Sequence, residues 1–224
     1  MNWKSAYRSF YYQGAPEPED LVLDPAETAL LTIDIQNYYR QQAEDAVERA
    51  RWAPFHQRMD EIVIPTVRDL QQRFRGRGMD VLHARIACRL EDGRDRSLSQ
   101  KKPGWNYLLL PKDTEASQIV PELAPRPGEV VVTKTTDSAL TGTNLRLILS
   151  NMGIRNVVMT GIFTDQCVSS TVRSLADESF NVVVIEDGCA AGTDDLHRRE
   201  LEIINMIYCQ VLESRELITL MGLD

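Results

Sequence analysis

Three side chains stand where they could carry out nucleophilic chemistry together. Val157-Val158-Met159-Thr160 is an apolar β-type run that meets Gly161, turns over Thr164-Asp165-Gln166, and sets Cys167 at the start of a helical pattern. Unpaired N–H groups and the helix dipole favour an anion at such an end, so the thiol is expected to be acidified. Asp34 closes the run Ala29-Leu30-Leu31-Thr32-Ile33, and Lys134 follows Val130-Val131-Val132. Singly, each has a plainer reading: Cys167 as a small core residue, Asp34 as a turn cap, Lys134 as a solvated charge. Jointly they form a coherent set. A carboxylate can take the thiol proton, an ammonium can stabilise both anions, and the thiolate can attack an amide-type carbonyl held by backbone N–H groups.

The elements that must position these residues alternate between strand and helix. Strands are read at 29–33, 79–87, 130–132, 156–160, 182–185 and, short and last, 211–212. Helices are read at 55–74, with Pro65 as a kink or restart, and at 142–152, 166–178 and 195–207. The fold class is therefore α/β: a three-layer, Rossmann-like, mostly parallel sheet flanked by helices. In such folds ligands bind beyond the carboxyl ends of the strands, which is the edge that Asp34, Lys134 and Cys167 share. Residues 1–28, with Trp3, Tyr7, Phe10, Tyr11 and Tyr12, read as an N-terminal arm across the body or a neighbouring subunit, and 29–224 as a single domain. The stretch Arg89 to Gly128 is broken by prolines, among them Pro103, Pro111, Pro121 and Pro125, and holds a charged turn; a loop of that length usually covers a site.

Bulk properties narrow the classes. The chain of 224 residues is 43% hydrophobic with a formal charge of −8, enough apolar content for one substantial core. The acidic balance argues against non-specific nucleic-acid or membrane binding. No apolar stretch approaches a membrane span, and Met1-Asn2-Trp3-Lys4-Ser5 opens no signal peptide. Cys88, Cys167, Cys189 and Cys209 are widely spaced without paired motifs, which fits a reducing cytoplasm. Cys189 and Cys209 read as core residues, and Asp165 as a helix N-cap or a local structural hydrogen-bonding residue rather than a catalytic one.

The chain resembles the isochorismatase-like cysteine hydrolases, a family that includes nicotinamidases, N-carbamoylsarcosine amidohydrolase, biuret hydrolase and ureidoacrylate hydrolase. The resemblance runs from about Ala29 to the C-terminus. It is carried by Leu31-Thr32-Ile33-Asp34-Ile35-Gln36-Asn37, by Lys134-Thr135 with Ser138-Ala139-Leu140 and Thr143-Asn144-Leu145, and by Gly161-Ile162-Phe163-Thr164-Asp165-Gln166-Cys167-Val168, trailed by Glu186-Asp187-Gly188-Cys189-Ala190. It implies a triad of Asp34, Lys134 and Cys167, a cis peptide at Ile162–Phe163, and an oxyanion hole of the Phe163 and Cys167 N–H groups. It also implies a homodimer or homotetramer.

Cys167 favours C–N hydrolysis of an amide or ureide over the vinyl-ether chemistry of true isochorismatases, which remains an alternative within the fold, as does a nicotinamidase-like amidase. Pyruvate release set against ammonia release separates ether cleavage from C–N cleavage. A non-catalytic scaffold is the alternative outside enzymology. The Asp-x-His and further His by which nicotinamidases hold a metal have no counterpart in Val81-Leu82-His83-Ala84-Arg85-Ile86-Ala87-Cys88, and His83 reads as a core histidine. No metal and no cofactor are expected. The turn Asp92-Gly93-Arg94-Asp95-Arg96-Ser97 resembles the members assigned to small non-aromatic substrates, which tilts the choice toward biuret, triuret or an N-carbamoyl compound. Pocket candidates are Gln36, Asn37, Tyr39, Arg85, Trp105, Phe163 and Gln210.

Overall fold

Every element that was expected to carry a site residue is present, and several run further than periodicity indicates. The computed structural model describes residues 1–224, apart from the side chain of residue 2. In chain order the elements are β1 (Thr28–Ile33), α1 (Ala46–Arg58), α2 (Ile64–Gly76), β2 (Asp80–Ile86), β3 (Lys101–Lys102), β4 (Asn106–Tyr107), β5 (Val130–Lys134), α3 (Leu145–Asn151), β6 (Asn156–Ile162), α4 (Ser169–Asp177), β7 (Asn181–Ala190), α5 (Asp194–Ile204), β8 (Gln210–Leu212) and α6 (Ser214–Met221).

Six strands form one parallel sheet in the order β5-β2-β1-β6-β7-β8. Parallel strands covered on both faces must be apolar throughout, and β1 and β6 are buried at every position. From β1 the chain goes first to β2 on one side and later to β6 on the other. The crevice between β1 and β6 is therefore the switch point at which an open α/β sheet binds its ligand. Phe74, Leu70, Leu149, Val172 and Leu217 pack from the helices onto the central strands, while Phe55, Met59 and Val63 form a second cluster with Ile35 and Ile162.

Three local departures have physical causes. The helix read at 55–74 begins earlier, where Asp45 caps the N–H groups of Val47 and Glu48. Pro65 falls directly after a widened turn over Met59–Val63 that joins α1 to α2 without a break, so it sits inside one continuous helical run whose wider turn accommodates the ring. The run Glu186-Asp187-Gly188-Cys189-Ala190, polar at its start, continues β7 across a bulge opposite Met159 and Gly161. Helix α6 was not anticipated; its capping box of Glu213 and Glu216 is the available signal. The stretch 89–128 holds the β3–β4 hairpin and single helical turns. In the N-terminal arm, Trp3 is buried in the main core, and Asn205 Nδ2 donates to the carbonyls of Trp3 and Tyr7 at 2.8 and 3.0 Å. No helix is long and apolar enough to cross a membrane among the described residues.

Candidate active site

Register brings the three strand ends to one level. Ile33 pairs with Ala84 and with Gly161, and Ile86 pairs with Lys134, so Asp34, Lys134 and the Gly161 turn meet at one edge. Gly161 is required there. Its φ is +125°, and a Cβ would stand 2.1 Å from the Ile33 carbonyl oxygen, so only glycine lets β6 lie this close beneath Asp34. The next peptide, Ile162–Phe163, is cis. A wide helical turn over Thr164–Val168 then carries Cys167 into place ahead of α4.

Lys134 Nζ sits at the centre of the cluster. It meets Asp34 Oδ2 at 2.7 Å, Cys167 Sγ at 3.3 Å and the Thr136 carbonyl at 3.1 Å, so its three protons have three acceptors. Lys134 is fully buried, Asp34 is 2% exposed and Cys167 5%. Both Asp34 oxygens are buried, and the Cys167 thiol lies within hydrogen-bonding reach of the carboxylate, which places it to accept the thiol proton. Burial pushes the Asp34 carboxyl up, against the pull of the Lys134 charge. The Asp34 charge holds Lys134 above the ordinary lysine range despite its burial.

The expected acidification of Cys167 is corrected. Burial and the Asp34 charge push the thiol well above its ordinary value, outweighing Lys134. The dipole of one short helical end is the smaller effect in so dry a site. For Asp165 the N-cap reading is corrected, since the helical turn carries no side-chain cap and Oδ1 is buried without a partner; its carboxyl bonds only locally, to its own backbone. Positioning comes instead from His197. Arg58 Nη2 can only donate, so His197 Nε2 accepts at 3.1 Å and Nδ1 donates to Thr164 Oγ1 at 2.8 Å. Burial and Arg58 push His197 down to about 3. The loop after Lys134 is tied to the nucleophile's helix by Ala139 N–H donating to Thr171 Oγ1 and by Thr171 Oγ1 donating to the Cys167 carbonyl. The Phe163 carbonyl accepts from the N–H groups of Gln166 and Val168 and passes over that of Cys167 between them.

Of the pocket candidates, Tyr39 and Phe163 lie at the site. Their rings meet edge to face at 5.4 Å, and with Tyr38, Trp52, Phe55 and His56 they line an aromatic cleft of about 370 Å³. Trp105, 78% exposed, stands at the lip of a polar cleft of about 580 Å³ that also holds Asp137, Asp165 and Gln166. The others are structural. Gln36 grips the Ile86 peptide from both sides, Nε2 donating to its carbonyl and Oε1 accepting its N–H, and it also donates to the Ser117 carbonyl. Asn37 donates to the Glu115 carbonyl and pins the same loop. Arg85 pairs with Thr133, one residue before Lys134, and side chains alternate along a strand. It therefore points to the opposite face, where it bonds Thr133 and Gln118. Gln210 aligns through Val183 and Val158 with Leu30, three strands away from β1. At strand spacing that is roughly 14 Å across the sheet and roughly 10 Å below the edge.

Sequence reasoning missed Asp137 and Gln100, and reached Arg96 only as one residue of the charged turn 92–97. Asp137 Oδ1 lies 3.7 Å from Cys167 Sγ and accepts from Gln100 Nε2, whose Oε1 accepts from Arg96. Asp137 was findable, standing between Lys134 and Ser138 in the second motif. His83 is in the core and pairs with Glu129 at 3.2 Å. No group of three His, Cys, Asp or Glu side chains converges as a metal site would among the described residues.

The model of the isochorismatase domain matches residues 28–216. Ureidoacrylate amidohydrolase RutB of Pseudomonas savastanoi pv. phaseolicola is 31% identical over 191 residues, covering 79% of this chain and 76% of that protein. The same-named protein of Stutzerimonas stutzeri is 30% identical over 197 residues, covering 79% and 75%. An isochorismatase-like hydrolase from Alkaliphilus metalliredigens superposes with a TM-score of 0.67 at 28% identity, over 86% of this chain and 98% of that one. The N-carbamoylsarcosine amidase of Thermoplasma acidophilum shares the fold, with a TM-score of 0.66 at 22% identity over 84% and 96%. With its parallel sheet, its strand-end cluster and a match across nearly its whole length, the chain belongs to the isochorismatase family of hydrolases.

Proposed function

We propose that the protein hydrolyses a C–N bond of a small amide or ureide through a thioester on Cys167. The observation that carries this reading is the Lys134 ammonium, fully buried between the Asp34 carboxylate at 2.7 Å and the Cys167 sulfur at 3.3 Å. Because the thiol is protonated at rest, the nucleophile is generated only as Asp34 takes its proton during attack. The carbonyl carbon gains the sulfur, and the oxyanion is held by the Phe163 and Cys167 N–H groups. Collapse breaks the C–N bond, and Asp34 passes the proton to the departing nitrogen. Water then attacks the thioester, Asp34 takes its proton, and the acyl group leaves while that proton returns to sulfur. Lys134 remains charged throughout and keeps the site near neutrality in both proton positions.

Two supports stand beside the geometry. Curated relatives of about 30% identity are named ureidoacrylate amidohydrolases, enzymes of a ureide by that name. Asp137 beside the thiol offers an acceptor for ureide N–H groups. The test is ammonia release by wild type and by Cys167→Ala across biuret, triuret, N-carbamoyl acids, ureidoacrylate, nicotinamide and maleamate. At least a thousandfold loss in the variant is the expected result on any accepted substrate. Near-wild-type turnover by Cys167→Ala would overturn the scheme, and pyruvate from isochorismate with no ammonia from the panel would transfer the site to ether cleavage.

A further inference from the structure

Arg96 lies two hydrogen bonds from the nucleophile's neighbour, and the reaction scheme gives it no task. It is only 6% exposed, and no carboxylate pairs with its guanidinium among the described residues. Nη2 donates to Gln100 Oε1 at 2.5 Å, whereas Nε and Nη1 are buried with no acceptor. A buried guanidinium without a counter-ion is strongly unfavourable, and each unsatisfied N–H adds to the cost. A fold retains such a group where something outside the chain supplies the missing charge.

The surroundings are arranged rather than accidental. Gln100 is buried, and because its Oε1 accepts from Arg96 its Nε2 is turned to donate to Asp137 Oδ1, the atom 3.7 Å from Cys167 Sγ. Through Gln100, Arg96 is thus tied to the side of the thiol on which Asp137 lies.

We propose that Arg96 receives a carboxylate at the far end of the substrate, so that the substrate is a ureido or N-carbamoyl acid rather than an uncharged ureide such as biuret. This rests on the reading of Cys167 as the nucleophile of C–N hydrolysis. Guanidinium is the side chain best matched to carboxylate, by planar donor geometry and weak hydration. Asp137 sets the direction of binding. As an anion beside the sulfur it repels a substrate carboxylate and accepts from ureide N–H groups, so the carbamoyl end faces the thiol and the acid end faces Arg96.

The test compares kcat/KM for ammonia release from N-carbamoylglycine and ureidoacrylate with that from biuret, in wild type, Arg96→Gln and Arg96→Lys. The acid-to-biuret ratio is expected to fall about 10- to 100-fold in Arg96→Gln, the size of one or two charge-assisted hydrogen bonds, chiefly through KM. Arg96→Lys should recover part of it. In parallel, calorimetry measures N-carbamoylglycine binding to Cys167→Ser with and without Arg96→Gln, and a tenfold or greater rise in Kd is expected. An unchanged ratio and an unchanged Kd overturn the assignment. So does an equal loss on both substrates accompanied by a lowered melting temperature, which would make Arg96 a structural group. If no panel member releases ammonia yet binding to Cys167→Ser still depends on Arg96, the hydrolytic reading falls and the carboxylate site stands. Biuret turnover indifferent to Arg96, with acids rejected, does the reverse.

Discussion

Replacing Lys134 by methionine tests the centre of the site through stability as well as rate. The ammonium is the only charge paired with Asp34 among the described residues, and both carboxylate oxygens are buried. Removing one member of a buried pair while leaving the other costs about 3–5 kcal/mol. For a domain of this size that corresponds to a melting temperature lower by roughly 6–20 °C. Asp34→Asn should cost a similar amount by stranding Lys134. The double variant strands neither charge, so in urea denaturation at pH 7 its loss should fall short of the sum of the singles by at least about 2 kcal/mol.

The pH dependence carries a sign. Without Lys134 the folded Asp34 carboxyl is raised further above its unfolded value, and a carboxyl raised on folding destabilises at pH above the folded value. The gap between Lys134→Met and wild type should therefore narrow as pH falls toward the ordinary aspartate value of 3.8, below which Asp34 is protonated in both states. Activity should not recover in that range, because a protonated Asp34 cannot take the thiol proton. Additive losses within about 0.5 kcal/mol, or a gap independent of pH, would refute the pairing as described.

Gly161→Ala should cost more than about 3 kcal/mol, since a Cβ 2.1 Å from the Ile33 carbonyl and a φ of +125° both oppose it; an ordinary melting temperature would show that β1 and β6 can part without harm. His197 is held neutral by burial, down to about 3, whereas in the unfolded chain it protonates near 6.5. Stability should thus fall below pH 6.5 with a contribution of up to about 1.4 kcal/mol per pH unit from this group, and His197→Asn should flatten that slope in denaturation series. Alkylation of Cys167 by iodoacetamide should be slow at pH 7 and still climbing at pH 9, because burial and Asp34 hold the thiol up. A plateau already reached at pH 7 would restore the acidic thiol.

The residues at the strand ends were legible before any coordinates, and for a local reason. An apolar run in a parallel sheet identifies itself, and the residue that ends it must appear at the carboxyl edge, whichever neighbours the strand acquires. Asp34, Lys134 and the Cys167 turn follow from that rule, as do the α/β class and the core placement of His83, Cys189 and Cys209. The tertiary structure decided everything that depends on parity, register and long-range charge. Arg85 was lost to the site by one step of pleat parity, Gln210 by register and three strands of distance, and Gln36 by hydrogen bonds to Ile86 and Ser117, 50 and 81 residues away. Arg96 and Asp137 came to the thiol through Gln100, a contact of 37 residues' separation that no local pattern encodes. The thiol's own acidity turned on burial and on Asp34, both supplied by other strands, so the sequence by itself determined which atoms could react and the fold determined in which protonation state they wait.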